Sequence, residues 1–133
     1  MGVTLDSSVL VDILAGDRDA LREVERLESG GLVPVLSTVA VFEVLSGVEF
    51  TKSRADRAKV EVLLRQIPIE AFDLDAARRS GELRAELQRI GRTPGAPDVM
   101  IAGQALASGH TLMTRDRSLA EAGVALGLSV VMI

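Results

Sequence analysis

The stretch "GVTLDSSVLVDILAG", residues 2–16, determines the fold class of this chain. It begins with a short apolar run, Val3–Leu5, which ends at Asp6 and predicts a strand. Ser7 or Ser8 is a suitable N-cap for the helix that follows, and the final glycine is a suitable stop. A strand followed at once by a helix is the repeating unit of an α/β protein.

The same alternation of short strands and helices continues to the end of the chain. Further strands are predicted in "LVPVLS" (32–37), "IPIEAFD" (67–73), "TLMT" (111–114) and "LSVVMI" (128–133). Most of these are continuous apolar runs, which are typical of parallel strands buried on both faces, and the last is predicted to be buried in this way. The pattern predicts an α/β fold: a three-layer α/β/α sandwich with a short, mostly parallel central sheet, formed by one domain, residues 1–133.

Apolar residues at helical spacing fill the segments between the strands. The clearest examples are Arg54–Gln66, Asp75–Ile90 and a segment that opens at Asp98. The stretch "GRTPGAP", residues 91–97, contains two glycines and two prolines and is the clearest loop.

The composition excludes several kinds of site. The chain has no cysteine, which rules out disulfides and thiolate metal sites. Its one histidine, His110, rules out two-histidine zinc helices, and we expect it at the surface in a turn. No apolar run approaches the ~20 residues of a membrane span, and no basic segment leads into an apolar one at the start. We therefore expect a cytoplasmic protein without a membrane partner.

The charge of the chain is unevenly distributed. The formal net charge is -4, which argues against a general nucleic-acid binder, yet residues 50–92 carry 10 basic and 7 acidic groups. Seven arginines in this segment are candidates for RNA phosphate contacts: Arg54, Arg57, Arg65, Arg78, Arg79, Arg84 and Arg89. The alternative is ion pairing on helix surfaces, for example with Glu82 and Glu86. The chain has no Tyr or Trp on which bases would stack, which favours a structured RNA read by shape and phosphate.

Four carboxylates from distant segments are candidates for one site. Asp6 follows the first strand, Asp116 follows the "TLMT" strand by two residues, and Asp98 opens a helix. Glu43 stands in the second turn of a helix among apolar neighbours, where an unpaired carboxylate is costly. Because the carboxyl ends of parallel strands meet at one edge of a sheet, we expect these acids to approach one another.

Two interpretations of these acids remain open. Like charges held together repel, and a hard divalent cation such as Mg²⁺, which prefers oxygen ligands, relieves that repulsion. Alternatively, Asp6 and Asp98 serve only as helix-terminal residues, Asp116 is a turn residue beside two arginines, and Glu43 lies on a solvated strip. Thr114, at a strand end, offers a hydroxyl for a carboxylate or a phosphate oxygen.

The segments "LDSSVLVDIL", "STVAVFEVLSG", "PDVMIAGQAL" and "LMTRDRSL" resemble the four acidic motifs of the PIN-domain ribonuclease family. Their order, spacing and chain length are similar to those of VapC-type toxins from VapBC toxin–antitoxin pairs. The resemblance implies an endoribonuclease that depends on Mg²⁺ or Mn²⁺. It implies that Asp6, Glu43, Asp98 and Asp116 are the catalytic acids, with Asp6, Asp98 and Asp116 as metal ligands, and that Ser8 and Thr114 support the pocket.

The resemblance also implies partners and shows two departures. The implied partners are an RNA substrate, such as a structured RNA like tRNA, a VapB-type antitoxin and a second copy of the chain in a homodimer. The family often has a further acid and then Phe in the last motif, where this chain has Ser118 and Leu119. Pro97 directly precedes Asp98, which affects where that carboxylate lies in its first turn.

Two other classes of function compete with a nuclease. A non-catalytic binding module would use the acidic rim only as an electrostatic surface. A receiver-type phosphotransfer domain would need a lysine at the end of a late strand, whereas the only lysines, Lys52 and Lys59, lie in a helical region.

Overall fold

The computed structural model describes all 133 residues. Five strands form one sheet: β1 (Gly2–Leu5), β2 (Val33–Ser37), β3 (Ile69–Glu70), β4 (Thr111–Thr114) and β5 (Ser129–Met132). Seven helices connect them: α1 (Ser7–Leu14), α2 (Arg18–Ser29), α3 (Thr38–Thr51), α4 (Arg54–Gln66), α5 (Leu74–Arg89), α6 (Ala96–Ser108) and α7 (Arg117–Ala125). The predicted alternation of strands and helices is confirmed.

All pairs of neighbouring strands are parallel, and their order is β3-β2-β1-β4-β5. The central strand, β1, places Val3 opposite Pro34 of β2 and Thr111 of β4. The crossovers from β1 to β2 and from β4 to β5 move in opposite directions along the sheet. Because such crossovers are right-handed, their helices cover opposite faces, which gives the predicted three layers.

Three local features differ from the expectations. Asp6, rather than Ser7 or Ser8, is the N-cap of α1, because its carboxylate accepts a hydrogen bond from the Ser7 N–H. Helix α6 begins at Ala96, since proline is well tolerated in a first turn whose N–H groups have no helical partner. Strand β5 is an edge strand with two exposed residues, and so it is not buried on both faces.

His110 is not the surface residue that we expected. Only 13% of its side chain is exposed. Its Nδ1 lies 3.1 Å from the Thr4 hydroxyl, and its Nε2 lies 3.4 Å from a carboxylate oxygen of Glu70. The ring also packs on Gly2, where a Cβ would come within 2.8 Å of Nε2. The turn before β4 therefore folds inward over the start of β1.

None of the helices is both long and apolar enough to cross a membrane.

Helices α5 and α6 approach each other most closely at Gly103. A Cβ on Gly103 would lie 2.0 Å from the Ser80 hydroxyl oxygen and 2.5 Å from the Ser80 Cα. The Ser80 side chain is held in place by donating a hydrogen bond of 2.7 Å to the carbonyl of Ala76. Only glycine permits this approach, which fixes the position of α6 against α5.

Replacing Gly103 by alanine is predicted to destabilise the fold. The added methyl group meets backbone atoms of Ser80, so the two helices must separate, and overpacking of this kind costs about 1–3 kcal/mol. The free energy of unfolding from urea titration is the measurement. Gly81→Ala is the matched control on α5: a Cβ there has no neighbour within 4 Å, and the exchange should stabilise the helix by up to about 1 kcal/mol. Equal stability of both variants would contradict the packing argument.

Candidate active site

The candidate site lies where the strand order of the sheet reverses. The chain leaves β1 toward β2 on one side, whereas β4 lies on the other side of β1. Asp6 follows β1, and its N–H donates to the carbonyl of Met113 on β4 at 3.0 Å. Asp116 follows β4. Ligands of open α/β sheets bind at such a switch point, beyond the carboxyl ends of the strands.

Asp6 is the most buried acid of the chain, with 2% of its surface exposed. Its Oδ1 accepts a hydrogen bond of 2.8 Å from the Ser7 N–H, and its Oδ2 accepts one of 2.7 Å from the Thr114 hydroxyl. Thr114 is fully buried at the end of β4. The start of α1 and the end of β4 therefore hold this carboxylate in one orientation, and Thr114 contacts a carboxylate, one of the two groups expected for its hydroxyl.

Asp98 lies beside Asp6. It is the third residue of α6, and its Oδ1 accepts a hydrogen bond of 3.2 Å from the buried hydroxyl of Ser7. The pKa of Asp6 is raised from 3.8 to about 7, mainly by burial and also by the charge of Asp98, although the hydrogen bonds from Thr114 and Ser7 lower it. The structure therefore brings two of the four predicted acids together, in an arrangement that disfavours two negative charges.

Asp116 is connected to this pair through Thr114. Its N–H donates to the Thr114 hydroxyl oxygen at 3.0 Å, and its Oδ1 accepts from the Leu119 N–H at 3.0 Å as the N-cap of α7. Oδ2 accepts no hydrogen bond. The preceding residue, Arg115, pairs with Asp12 of α1 at 2.6 Å instead of with Asp116. These contacts fix the turn between β4 and α7 next to Asp6.

Glu43 faces a cavity of about 310 Å³ between α1, α3 and α4. Its Oε1 is buried and has no hydrogen-bond partner. Val11 and Lys59 line the same cavity, but Lys59 makes no ion pair within 4.0 Å of this carboxylate. A position on a solvated strip therefore does not explain Oε1 of Glu43. This oxygen is shielded from water and can still accept a hydrogen bond or bind a cation.

The four acids do not form one metal cage in this arrangement. No group of three or more acidic or histidine side chains lies close enough to hold an ion. The residues nevertheless fit a divalent cation in their chemistry: the adjacent Asp6 and Asp98 gain from a nearby positive charge, and Asp98, Asp116 and Glu43 each keep an oxygen without a hydrogen bond.

Sequence reasoning missed Ser7. This serine is buried and bridges the acids, because its N–H donates to Asp6 and its hydroxyl donates to Asp98, whereas the adjacent Ser8 is exposed and makes no hydrogen bond to them. No signal in the sequence pointed to this choice, because an N-cap side chain usually accepts from the second or third helical residue, whereas Asp6 accepts from the first.

The candidate arginines fall into two groups. Three make ion pairs on helix surfaces: Arg57 with Glu49, Arg79 with Glu82, and Arg89 with Glu86. The others are exposed and have no acidic partner within 4.0 Å: Arg54, Arg65, Arg78 and Arg84. The ion-pair alternative therefore explains three of the seven.

The raised pKa of Asp6 predicts that stability depends on pH. The folded protein holds the proton of Asp6 up to about pH 7, whereas the unfolded chain releases it near 3.8. This contribution to the free energy of unfolding is therefore complete at low pH and is lost as pH rises toward 7, by at most about 1.4 kcal/mol per pH unit. Urea titrations between pH 5 and 7 should show this decline in the wild type.

Asp6→Asn has no such proton to lose, so its stability should fall less over the same pH range. Asp75→Asn is the control, because it removes an exposed carboxylate and should leave the wild-type dependence. Parallel curves for the wild type and Asp6→Asn would contradict the assigned environment of Asp6.

Comparisons with known proteins agree with this fold. A family model described as PIN domain matches residues 3–125. A relative named tRNA(fMet)-specific endonuclease VapC, from Shigella flexneri, is 30% identical over 113 residues, which are 84% of each chain. Another, named Ribonuclease VapC2, from Rickettsia felis, is 26% identical over 113 residues and 84% of each chain.

A solved structure has the same architecture. The VapBC2 complex of Rickettsia felis, bound to a DNA fragment from its promoter, contains a chain that superposes with a TM-score of 0.82 at 23% identity. The superposition covers 100% of this chain and 99% of that one, which confirms the α/β fold. Taken with the four acidic motifs, the family match and the identity to VapC establish that this chain belongs to the PIN-domain family, among the VapC-type ribonucleases of toxin–antitoxin systems.

Proposed function

We propose that this ribonuclease hydrolyses RNA phosphodiester bonds with a divalent cation, Mg²⁺ or Mn²⁺, at the Asp6–Asp98 pair. Water adds to phosphorus and the bond from phosphorus to the 3′ oxygen breaks, which leaves a 5′-phosphate and a 3′-hydroxyl. The observation that carries the proposal is the buried carboxylate of Asp6 beside the half-buried Asp98 at the switch point of the sheet, where burial and like charge raise the pKa of Asp6.

Each acid has a part in this proposal. Asp6 and Asp98 would hold the cation, because a positive charge offsets the repulsion between them, and the free Oδ2 of Asp116 would be the third ligand. A divalent cation supplies two kinds of chemistry here: it lowers the pKa of a water and offsets charge on the phosphate. Glu43, whose Oε1 lacks a partner, would orient the attacking water.

Thr114 and Ser7 act as positioning residues. Thr114 fixes Asp6 and the Asp116 backbone with one hydroxyl, and Ser7 orients Asp6 and Asp98 from the start of α1. Such contacts around metal ligands typically change metal affinity or activity 10-fold to 100-fold when removed.

For the substrate, we propose a structured RNA such as a tRNA. The relative from Shigella flexneri is named for a tRNA(fMet)-specific endonuclease. This chain belongs to the same family, and the alignment covers 84% of each chain. The absence of Tyr and Trp favours recognition by shape and phosphate over base stacking. Action on such an RNA places the protein in the cytoplasm.

For the partners, we propose a VapB-type antitoxin and a second copy of this chain. Structurally similar chains occur in VapBC complexes from Rickettsia felis and Salmonella typhimurium, which supports an antitoxin. Support for a homodimer comes from the outer face of α3, where Phe42 is 64% exposed beside a depression that Val41 and Leu45 also line. The receiver-type alternative gains no support, because Lys52 and Lys59 lie far along the chain from any strand end.

Purified protein should cut a pool of total RNA in Mn²⁺ and fail to do so in EDTA. Asp98→Asn and Glu43→Gln should each reduce the cleavage rate roughly 10²-fold or more, since each removes a negative oxygen without changing side-chain size. Sequencing of the ends should find 5′-phosphates. Thermal melts of both variants are the control for folding.

Cyclic phosphate ends would contradict the reaction proposed, and cutting that survives EDTA would contradict the metal. A folded wild type that shows neither a thermal shift with Mn²⁺ nor cleavage of tRNA or total RNA would refute the metal-dependent nuclease and favour the binding module.

The two adjacent serines give a sharper test of the site. Ser7→Ala should raise the Mn²⁺ concentration needed for half-maximal cleavage by about 10-fold to 100-fold, because Asp98 loses its hydroxyl donor. Ser8→Ala should match the wild type, since Ser8 is exposed and away from the acids. If Ser8→Ala needed more Mn²⁺ for half-maximal cleavage than Ser7→Ala, Ser8 would be the serine that supports the pocket, as the family resemblance implies.

A further inference from the structure

The loop that leads into Asp98 carries a second feature that the acidic site does not explain. Arg84 and Arg92 line one small cavity of about 40 Å³ together with Gln88, Thr93 and three other side chains. No acidic side chain lines it, although the chain as a whole has a net charge of -4. The cavity therefore concentrates positive charge and hydrogen-bond donors in an acidic protein.

Neither Arg84 nor Arg92 forms an ion pair with an acidic side chain. Elsewhere on α5, Arg79 pairs with Glu82 and Arg89 pairs with Glu86, which uses both glutamates of this part of the helix. Arg84 and Arg92 are exposed and have no acidic partner within 4.0 Å. Two free guanidinium groups are suited to the oxygens of a phosphate, which they contact in a planar, bidentate manner.

The backbone holds Arg92 beside Arg84. Gly91 takes the left-handed conformation at φ 72°, its N–H donates to the carbonyl of Gln88, and the Arg92 N–H donates to the carbonyl of Leu87 at 2.8 Å. This pair of bonds is the Schellman end of α5. It fixes Arg92 next to the last turns of α5, so the cavity is formed before any ligand arrives.

The same loop connects the cavity to the catalytic acids. After Arg92 the chain passes through Thr93 and Pro94 to Gly95, and a Cβ on Gly95 would lie 4.0 Å from Oδ2 of Asp98. The loop therefore runs from the cavity past the free oxygen of Asp98. A polyanion that follows the loop would reach both the cavity and Asp98.

We propose that Arg84 and Arg92 form a subsite for a phosphate of the RNA backbone that flanks the bond to be cut. This inference rests on the proposed function, because it takes RNA as the ligand. RNA is favoured over an acidic protein segment, since the cavity is lined in part by the loop that leads to Asp98 and four of its seven lining side chains are polar or charged.

The test measures RNA binding without cleavage. A fluorescein-labelled tRNA is titrated with the full-length protein in EDTA. The binding constant is measured by fluorescence anisotropy at NaCl concentrations from about 25 to about 200 mM. R84Q/R92Q should bind at least about 10-fold more weakly at low salt, and its slope of log K against log salt should be about 1.4–1.8 smaller than that of the wild type, as expected for two lost phosphate contacts.

R57Q/R89Q is the matched control, because it also removes two exposed arginines, but ones that are ion-paired with Glu49 and Glu86. Its slope should equal that of the wild type, and thermal melts check that both double variants fold. Equal slopes for the two double variants would overturn the proposal. So would an equal loss of affinity of R84Q/R92Q for a polyglutamate peptide, which would show a general anion site.

The binding result and the nuclease result fail separately. Protein that binds tRNA with the predicted change of slope and never cleaves RNA refutes only the nuclease activity. Protein that cleaves RNA with Mn²⁺ while R84Q/R92Q keeps the wild-type slope refutes only the subsite. Where RNA is cleaved, the subsite predicts a KM at least about 10-fold higher for R84Q/R92Q with kcat within about 2-fold, because a flanking phosphate is bound equally in the ground and transition states.

Discussion

The buried carboxylate of Asp6 is the constraint on which the rest of the site depends. It stands at the point where the sheet reverses its strand order, and it receives hydrogen bonds from the Ser7 N–H and the Thr114 hydroxyl. Burial raises the pKa of this carboxyl group in spite of those hydrogen bonds, and the charge of Asp98 beside it raises the pKa as well. In the folded protein the negative charge of Asp6 beside Asp98 is therefore unfavourable, and a cation is the simplest group to offset it.

This arrangement is maintained by packing at some distance from the acids. Asp98 is carried by α6, and the position of α6 is set by the close approach of Gly103 to Ser80 of α5. On the other side, the pair Arg115–Asp12 ties the turn after β4 to α1, next to Asp116. The acids thus stand on helices and strand ends whose positions are fixed by contacts made elsewhere.

The helix-surface arginines differ in whether they are ion-paired. Some pair with an acid within one turn of the same helix, as Arg79 and Arg89 do. The arginines left over are the ones available to a polyanion, and Arg84 and Arg92 lie together at the loop that enters α6. Although the chain has a net charge of -4, local ion pairing therefore leaves Arg84 and Arg92 unpaired next to the loop that leads to Asp98.

By itself the sequence determined the order of strands and helices, the parallel sheet and the segments that carry the acids, because hydrophobic period and caps are local properties. Tertiary structure alone decided that Ser7 and not Ser8 contacts the acids, that His110 is covered, and that the Asp116 carboxylate caps α7 while Asp6 and Asp98 pair. Side-chain direction at a strand end depends on the helix that packs against it, and contacts between segments far apart in the chain leave no periodic signal in either segment.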